Sequence, residues 1–186
     1  DDVESMGFLK IDILGSRNLT IIHDTLASVA VSRGNAPAVE EIPLDDAETF
    51  KMLQQGDSLG CFQLESAGMR RVLKILRPEC LEDLIHLLSL YRPGPWESGM
   101  VETFVSRRRG QEKTDYLHPL LADILKDTYG VILYQEQVMR IACEVGGFSA
   151  GKADCLRRAM GKRSAVVEEI FRPQFISGAR QKGLSK

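Results

Sequence analysis

A succession of apolar runs at helical spacing, interrupted by proline and glycine, most constrains how this chain can fold. Ser66 is a typical N-cap for a helix that must stop before Pro78, and residues 81–90 form a continuous apolar run typical of a buried helix. Further helices are predicted near 98–108, 135–145, 150–160 and 165–181. The sequence therefore predicts a mainly α fold.

One N-terminal segment departs from the helical pattern. Residues 8–14 alternate in polarity, with Leu9, Ile11 and Ile13 on one face and Asp12 on the opposite face. This alternation predicts a short β-strand. A carboxylate held on a strand is suited to bind a divalent metal together with other acids, but an exposed aspartate without a role is the commoner explanation.

Composition and the positions of proline and glycine suggest how the chain is divided into domains. Residues 1–34 are predicted to form the strand and one helix, residues 35–44 with two prolines a linker, and residues 45–186 a helical domain. No stretch approaches the roughly 20 apolar residues of a membrane span, and the acidic start lacks the basic region of a signal peptide. The four cysteines have no CxxC spacing, which favours core cysteines in a reducing cytosol over a zinc site or a disulfide.

Charge is distributed unevenly although the net charge is only −2. Residues 1–57 carry 4 basic and 11 acidic side chains, whereas residues 151–186 carry 9 basic and 3 acidic ones. A basic end on a nearly neutral chain points to an anionic partner such as phosphate. A solvated helix face is the commoner explanation of the charge asymmetry when charge alone is considered.

The basic end contains the segment Leu156-Arg-Arg-Ala-Met-Gly-Lys162. On a helix, Arg158 and Lys162 share a ridge with Asp154, and Arg157 lies beside it. Such a group of cations suits a triphosphate, because arginine forks bind phosphate oxygens in pairs and lysine acts as a point charge. An ordinary basic helix terminus, favoured by the helix dipole, is the alternative.

A second polar segment, Tyr134-Gln-Glu-Gln137, lies between apolar residues and the start of a predicted helix. Its side chains, among them Tyr134 and Gln135, could line a groove. They could equally form the solvated first turn of the helix.

Five segments together resemble the bacterial C-family DNA polymerases over essentially the whole chain, in order and in spacing. They are Leu9-Lys-Ile-Asp-Ile-Leu-Gly15, Phe62-Gln-Leu-Glu-Ser66, Tyr91-Arg-Pro-Gly-Pro95, Tyr129-Gly-Val-Ile-Leu-Tyr-Gln-Glu-Gln137 and Leu156-Arg-Arg-Ala-Met-Gly-Lys162.

The resemblance implies a multi-helix fingers domain with a short β-strand contributed by the edge of the palm domain. Asp12 would be the third metal-binding and catalytic carboxylate of the palm. Residues that would bind the incoming nucleotide are Arg157, Arg158, Lys162, Arg92, Tyr134 and Gln135. The full-length protein that contains this chain, called the parent below, would be a Mg²⁺-dependent, DNA-directed DNA polymerase of the bacterial cytoplasm. It would bind template-primer and deoxynucleoside triphosphates, together with a sliding clamp and other replicase subunits. No membrane association is expected.

One departure from the family pattern limits this expectation. The two other palm acids lie in an Asp-x-Asp motif that this sequence does not contain, so the chain resembles a fragment and is expected to be inactive alone. A non-replicative, error-prone paralogue and a non-catalytic helical nucleic-acid-binding module remain alternatives.

Overall fold

A computed structural model describes residues 3, 6–9, 11, 13, 15, 17–92, 94, 98–161 and 167–184 of the chain. The chain divides into two compact units, Asp1–Leu44 and Asp45–Lys186. Assignment of residues 1–34 to a palm and of residues 35–44 to a linker stays a prediction.

The first unit contains helix α1, Arg17–Arg33, and a 3₁₀ turn, Val39–Glu41. None of its described residues is buried. The predicted β-strand is wrong for the described part of segment 8–14, where Phe8, Leu9, Ile11 and Ile13 have no strand structure. A strand needs a neighbour to pair its backbone groups, and no described residue of this chain belongs to a strand that could supply one.

All regular secondary structure among the described residues of the second unit is helical, which confirms the mainly α prediction. Its α-helices are α2 Ala47–Gln54, α3 Ala67–Leu76, α4 Leu81–Leu90, α5 Met100–Arg108, α6 Ala122–Leu125, α7 Gln135–Glu144, α8 Ala150–Gly161 and α9 Arg172–Gln181. Two 3₁₀ turns, Pro119–Leu121 and Lys126–Thr128, flank α6, and a π-helical segment, Val167–Phe171, precedes α9.

Local chemistry sets the boundaries of α3. The Ser66 hydroxyl accepts the N–H of Met69 at 3.2 Å, as the N-cap prediction requires. The helix ends at Arg77, whose φ of 53° is left-handed, and the next residue is the buried Pro78, which cannot continue a helix.

Three groups of buried side chains hold the unit together. The largest lies among α2 to α5 and includes the fully buried Leu73, Leu87 and Phe104. A second joins α6, the end of α7 and α9, and a third joins α7 and α8 through Ala142, Ala153 and Leu156. Because α8 is anchored on α7 by these contacts, polar residues on the two helices keep a fixed relation.

A buried ion pair ties α5 to the start of α4. The guanidinium of Arg108 donates from Nε to Asp83 at 2.6 Å and also from Nη2, and the two side chains are only 12% and 5% exposed. The same carboxylate accepts the backbone N–H groups of Glu79 and Cys80, which caps α4. Burial raises the pKa of Asp83, but the bonds from Arg108 and Glu79 outweigh burial and hold that pKa below its ordinary value.

Helix α9 approaches the C-terminal end of α7 very closely. A Cβ atom added at Gly178 would lie 1.8 Å from the carbonyl oxygen of Gly146, and one added at Gly146 would lie 2.4 Å from the ring of Phe175. Only glycine permits this backbone contact.

Candidate functional site

The two predicted arginines of α8 share a single carboxylate. Arg157 donates to Oδ1 of Asp154 from Nε at 2.9 Å, and its Nη2 lies 2.8 Å from the same oxygen. Nη2 of Arg158 lies 2.6 Å from Oδ2. Hydrogen bonds from Arg157 and then Arg158 hold the pKa of Asp154 below its usual value, so Asp154 is ionised at neutral pH. We refer to these three side chains as the Asp154 cluster.

A residue from another helix joins the Asp154 cluster. Nη1 of Arg157 donates to the side-chain oxygen of Gln135, the first residue of α7, at 2.9 Å. The structure thus brings together two residues that lie 22 positions apart and that the sequence suggested on separate grounds. Arg157 is positioned from two sides, by a carboxylate and by an amide.

The start of α7 is itself fixed by a buried polar network. The side chain of Gln137, 7% exposed, accepts the N–H groups of Leu133 and Tyr134 at 2.8 and 2.9 Å. It donates at 2.7 Å to the hydroxyl of Thr128, which in turn donates to the carbonyl of Val131 at 2.6 Å. Both the oxygen and the nitrogen of the Gln137 side chain are thus hydrogen-bonded within the protein. Gln137 therefore supports the start of α7 and is not a candidate ligand-binding residue.

Tyr134 packs against helix α4. It is half-buried, its ring lies 6.0 Å from that of His86, and its hydroxyl is hydrogen-bonded with Ser89. Burial raises the pKa of Tyr134, so its hydroxyl stays protonated at neutral pH.

Of the remaining predicted site residues, the structure describes Arg92 alone. Arg92 is exposed, and no hydrogen bond or ion pair among the described residues joins it to the Asp154 cluster. Asp12 and Lys162 lie outside the described residues.

The Asp154 cluster has two cations, one anion and unequal exposure. The side chain of Arg158 is 69% exposed, whereas those of Arg157 and Asp154 are 30% and 27% exposed. A guanidinium has five N–H donors, so each arginine keeps donors beyond those that Asp154 and Gln135 occupy. The site can bind an oxyanion with pre-oriented arginine forks.

Sequence reasoning placed Asp154 on the ridge of Arg158 but assigned it no role. The i, i+3 and i, i+4 spacing to the two arginines was the signal that could have identified it as their shared partner. The direction of Gln135 toward Arg157 depends on how α7 packs on α8, which spacing does not reveal.

Within the described ranges, no group of three or more His, Cys, Asp or Glu side chains comes together to hold a metal ion. The cysteines there are free thiols. No described helix is both long and apolar enough to cross a bilayer.

Comparison with known proteins assigns the chain to one family. The family described as the bacterial DNA polymerase III alpha subunit finger domain matches residues 18–183. DNA polymerase III subunit alpha of Staphylococcus aureus strain COL is 52% identical over 182 residues. The same subunit of Staphylococcus epidermidis strain ATCC 35984 is 50% identical over 182 residues. In both cases the match covers 98% of this chain and 17% of the relative.

The chain therefore belongs to the DNA polymerase III alpha subunit finger-domain family, as the sequence resemblance indicated. It spans about 17% of the length of these relatives.

Proposed function

We propose that this chain is the nucleotide-binding part of a replicative DNA-directed DNA polymerase of the bacterial cytoplasm, and that Arg157 and Arg158 bind the triphosphate of the incoming nucleotide. The parent acts on template-primer DNA together with a sliding clamp and other replicase subunits. The observation that carries the proposal is that Arg157 and Arg158 converge on Asp154. Gln135, on a second helix that packs against the first, accepts a further hydrogen bond from Arg157.

The arrangement suits nucleotidyl transfer. The primer 3′-hydroxyl attacks the α-phosphorus, and the β and γ phosphates depart as pyrophosphate. Guanidinium groups on these phosphates neutralise the charge that builds up on the leaving group and hold it in line with the attacking oxygen. Gln135 restrains Arg157 without adding charge, so it orients the guanidinium while leaving its attraction for anions intact.

In such enzymes a bound Mg²⁺ would supply positive charge to the attacking hydroxyl and to the departing pyrophosphate. The described residues do not fit a Mg²⁺ site, because they contain no cluster of acids, and Asp12 lies outside them. We therefore propose that the metal is held by acids of the parent and that this chain alone extends no primer. Template-directed extension by the purified chain with Mg²⁺ would contradict this.

Binding of deoxyadenosine triphosphate to the chain in EDTA, measured by calorimetry, tests the triphosphate assignment directly. Arg157→Ala and Arg158→Ala should each weaken binding by about tenfold to hundredfold, because a charge-assisted hydrogen bond contributes about 1.5–3 kcal/mol. Arg140→Ala is the matched control, since Arg140 is an exposed arginine of α7 whose partner at 3.0 Å is Glu144. Equal affinity of all three variants and the unmodified chain would overturn the assignment.

A further inference from the structure

An open cavity of about 530 Å³ lies beside the C-terminal ends of α2, α3 and α5 and shares no residue with the Asp154 cluster. Its volume is typical of a site for a small molecule. Apart from Leu76, the side chains that line it are polar: Gln54, Arg77, Glu79, Arg108, Arg109 and Gln111. Because three of these residues are arginines, the cavity is suited to a small anion.

Two parts of the cavity wall are fixed by the fold. The guanidinium of Arg108 is held by the buried carboxylate of Asp83. Gln54 donates from Nε2 to the carbonyl of Pro78 at 2.9 Å, which ties the end of α2 to the segment that follows α3. A ligand would therefore meet side chains that are already oriented, and this lowers the entropic cost of binding.

Arg77 has a backbone conformation that does not suit arginine. Its φ and ψ of 53° and 70° lie in the left-handed region, where helices are usually followed by glycine. A Cβ atom is disfavoured in this region. Because the side chain is also exposed, folding alone favours glycine at this position. The arginine therefore points to a role for its guanidinium at the cavity.

Glu79 shows how one oxyanion group sits in the cavity. Nη2 of Arg108 binds two carboxylates, those of the buried Asp83 and of Glu79 at 3.3 Å. The Glu79 side chain is 73% exposed. An exposed ion pair of this kind contributes little to stability, so an external oxyanion can replace the Glu79 carboxylate on Arg108 without disturbing the Asp83 pair.

The charge of the cavity calls for a ligand with more than one oxyanion group. Arg77 and Arg109 are exposed, and neither forms an ion pair within the described part of the chain. With Arg108 they place three guanidinium groups around the cavity, against the two carboxylates of Asp83 and Glu79. Displacement of Glu79 leaves two positive charges without a partner, so a ligand with at least two negative charges matches the site.

The lining also indicates what the ligand lacks. Among the described residues that line the cavity there is no aromatic side chain, and the one apolar residue, Leu76, is itself buried. Nucleobases are usually bound by stacking on aromatic rings or by apolar walls. The cavity therefore favours a small polyanion without a base over a nucleotide.

We propose that this cavity is an effector site for a small, non-nucleotide polyanion with two or more oxyanion groups, either phosphates or carboxylates, held by Arg77, Arg108 and Arg109. The bound anion replaces Glu79 on Arg108 and links the ends of α3 and α5, so it stabilises the helical unit. The site does not depend on the proposed function, because none of its residues takes part in binding the triphosphate.

The test is calorimetric binding of inorganic pyrophosphate and of citrate, with acetate as the anion of one oxyanion group, all at one fixed ionic strength. The measurements are made on the Arg157→Ala/Arg158→Ala double variant, so that the proposed triphosphate site cannot take up the pyrophosphate. We expect pyrophosphate, citrate or both to bind one per chain, and acetate not to bind at the same concentration. Tighter binding of pyrophosphate would identify a phosphate ligand, and tighter binding of citrate a carboxylate ligand.

Further substitutions in the double variant locate the site. Arg77→Gly and Arg109→Gln should each weaken binding by about three- to tenfold, because each removes charge-assisted hydrogen bonds at an exposed position. Glu79→Gln should tighten binding, since it removes the competing carboxylate. Arg140→Gln, which removes an exposed arginine of α7, should leave the affinity unchanged.

Thermal unfolding separates binding from a purely structural role of the arginines. The anion that binds should raise the melting temperature as its concentration increases, and less so in Arg109→Gln. Without ligand, Arg77→Gly should unfold at the same or a higher temperature, because glycine relieves the left-handed backbone, so its weaker binding is not misfolding. A lower melting temperature with unchanged anion affinity would instead assign Arg77 to the end of α3, where the helix dipole favours a cation.

Three results would overturn the proposal. The first is that neither pyrophosphate nor citrate binds the double variant. The second is that Arg77→Gly and Arg109→Gln both leave the affinity unchanged. The third is that Arg140→Gln weakens binding as much as they do, which would show attraction to any exposed arginine.

Discussion

Two aspartates of the helical unit each bind arginine, but the two ion pairs differ in solvent access and in what surrounds them. Asp83 and Arg108 are 5% and 12% exposed, and Asp83 also accepts two backbone N–H groups. Asp154 is 27% exposed, and one of its two arginines, Arg158, is 69% exposed. The first pair satisfies its carboxylate inside the fold, whereas the second leaves guanidinium donors at the surface. The same kind of ion pair is therefore enclosed in the fold in one place and leaves an arginine exposed to solvent in the other.

The largest expected effect is a difference in protein stability between alanine variants of the two aspartates. Asp83→Ala should lower the free energy of unfolding by about 3–5 kcal/mol, because it leaves the guanidinium of Arg108 buried without its partner and uncaps α4. Asp154→Ala should leave the free energy of unfolding nearly unchanged, because water solvates the released arginines. Urea unfolding followed by circular dichroism measures both. Equal losses in the two variants would remove the distinction.

The next effect concerns catalysis in the parent polymerase. Asp154→Asn keeps the shape of the side chain but loses its charge, so the arginines still attract a triphosphate but are held less firmly. We expect kcat for nucleotide incorporation to fall by about tenfold, because orientation is lost, while the KM for nucleotide stays level or falls. Steady-state kinetics separates the two parameters. A rise in KM with constant kcat would show that Asp154 does not position the arginines.

A smaller effect distinguishes the two glutamines at the start of α7. Gln135→Ala removes one hydrogen bond to Arg157 and should weaken nucleotide binding by about two- to tenfold, or roughly 0.5–1.5 kcal/mol. The matched variant Gln137→Ala should instead lower the melting temperature, because Gln137 satisfies buried groups around Thr128. Calorimetry and thermal unfolding of both variants are needed. A destabilised Gln135→Ala would place this residue in the fold and not in the site.

The smallest effect is a pH dependence of the free energy of unfolding, caused by His86, which lies near the buried ion pair of Asp83 and Arg108. Burial is the largest influence on the pKa of His86 and lowers it. The charge of Asp83 raises this pKa and that of Arg108 lowers it, and the charges of Asp127 and Glu82 raise it by smaller amounts. The pKa in the folded state is therefore below the ordinary 6.5. The unfolded chain binds the proton more readily, so the free energy of unfolding should decline as the pH falls through 6.5 and level off below the folded pKa.

His86→Phe tests this pH dependence. It keeps an aromatic ring against Phe104, 5.2 Å away, and removes Nδ1, which is buried without a hydrogen-bond partner among the described residues. Its unfolding free energy should not decline between pH 7 and pH 6. A slope that persists in this variant would assign the titration to another group.

Much of the helical unit could be predicted from sequence because its helices begin and end at residues with strong local preferences. Ser66, Pro78 and the apolar run of α4 are of this kind, and the observed helices confirm them. The strand at 8–14 could not be judged from alternation alone, because a strand forms only where another pairs with it.

The site was less predictable than the helices, for a geometric reason. Spacing placed Arg157 and Arg158 beside Asp154, since the three lie on one helix. Gln135 and Gln137 are indistinguishable in composition, and only the packing of α7 turns one toward Arg157 and the other toward Thr128. The roles of the site residues in catalysis stay predictions until the variants are measured.

The contact between Gly146 and Gly178 has a consequence for reading sequence variation in this domain. Both glycines should tolerate almost no replacement in a library of random variants, since any side chain would push α9 away from α7. If the variants in such a library were ranked by their loss of function, substitutions at these glycines would rank with those at Arg157 and Arg158. A ranking by tolerance alone would therefore mix residues that bind ligands with residues that merely allow two backbones to touch, and a stability measurement on each variant would separate them.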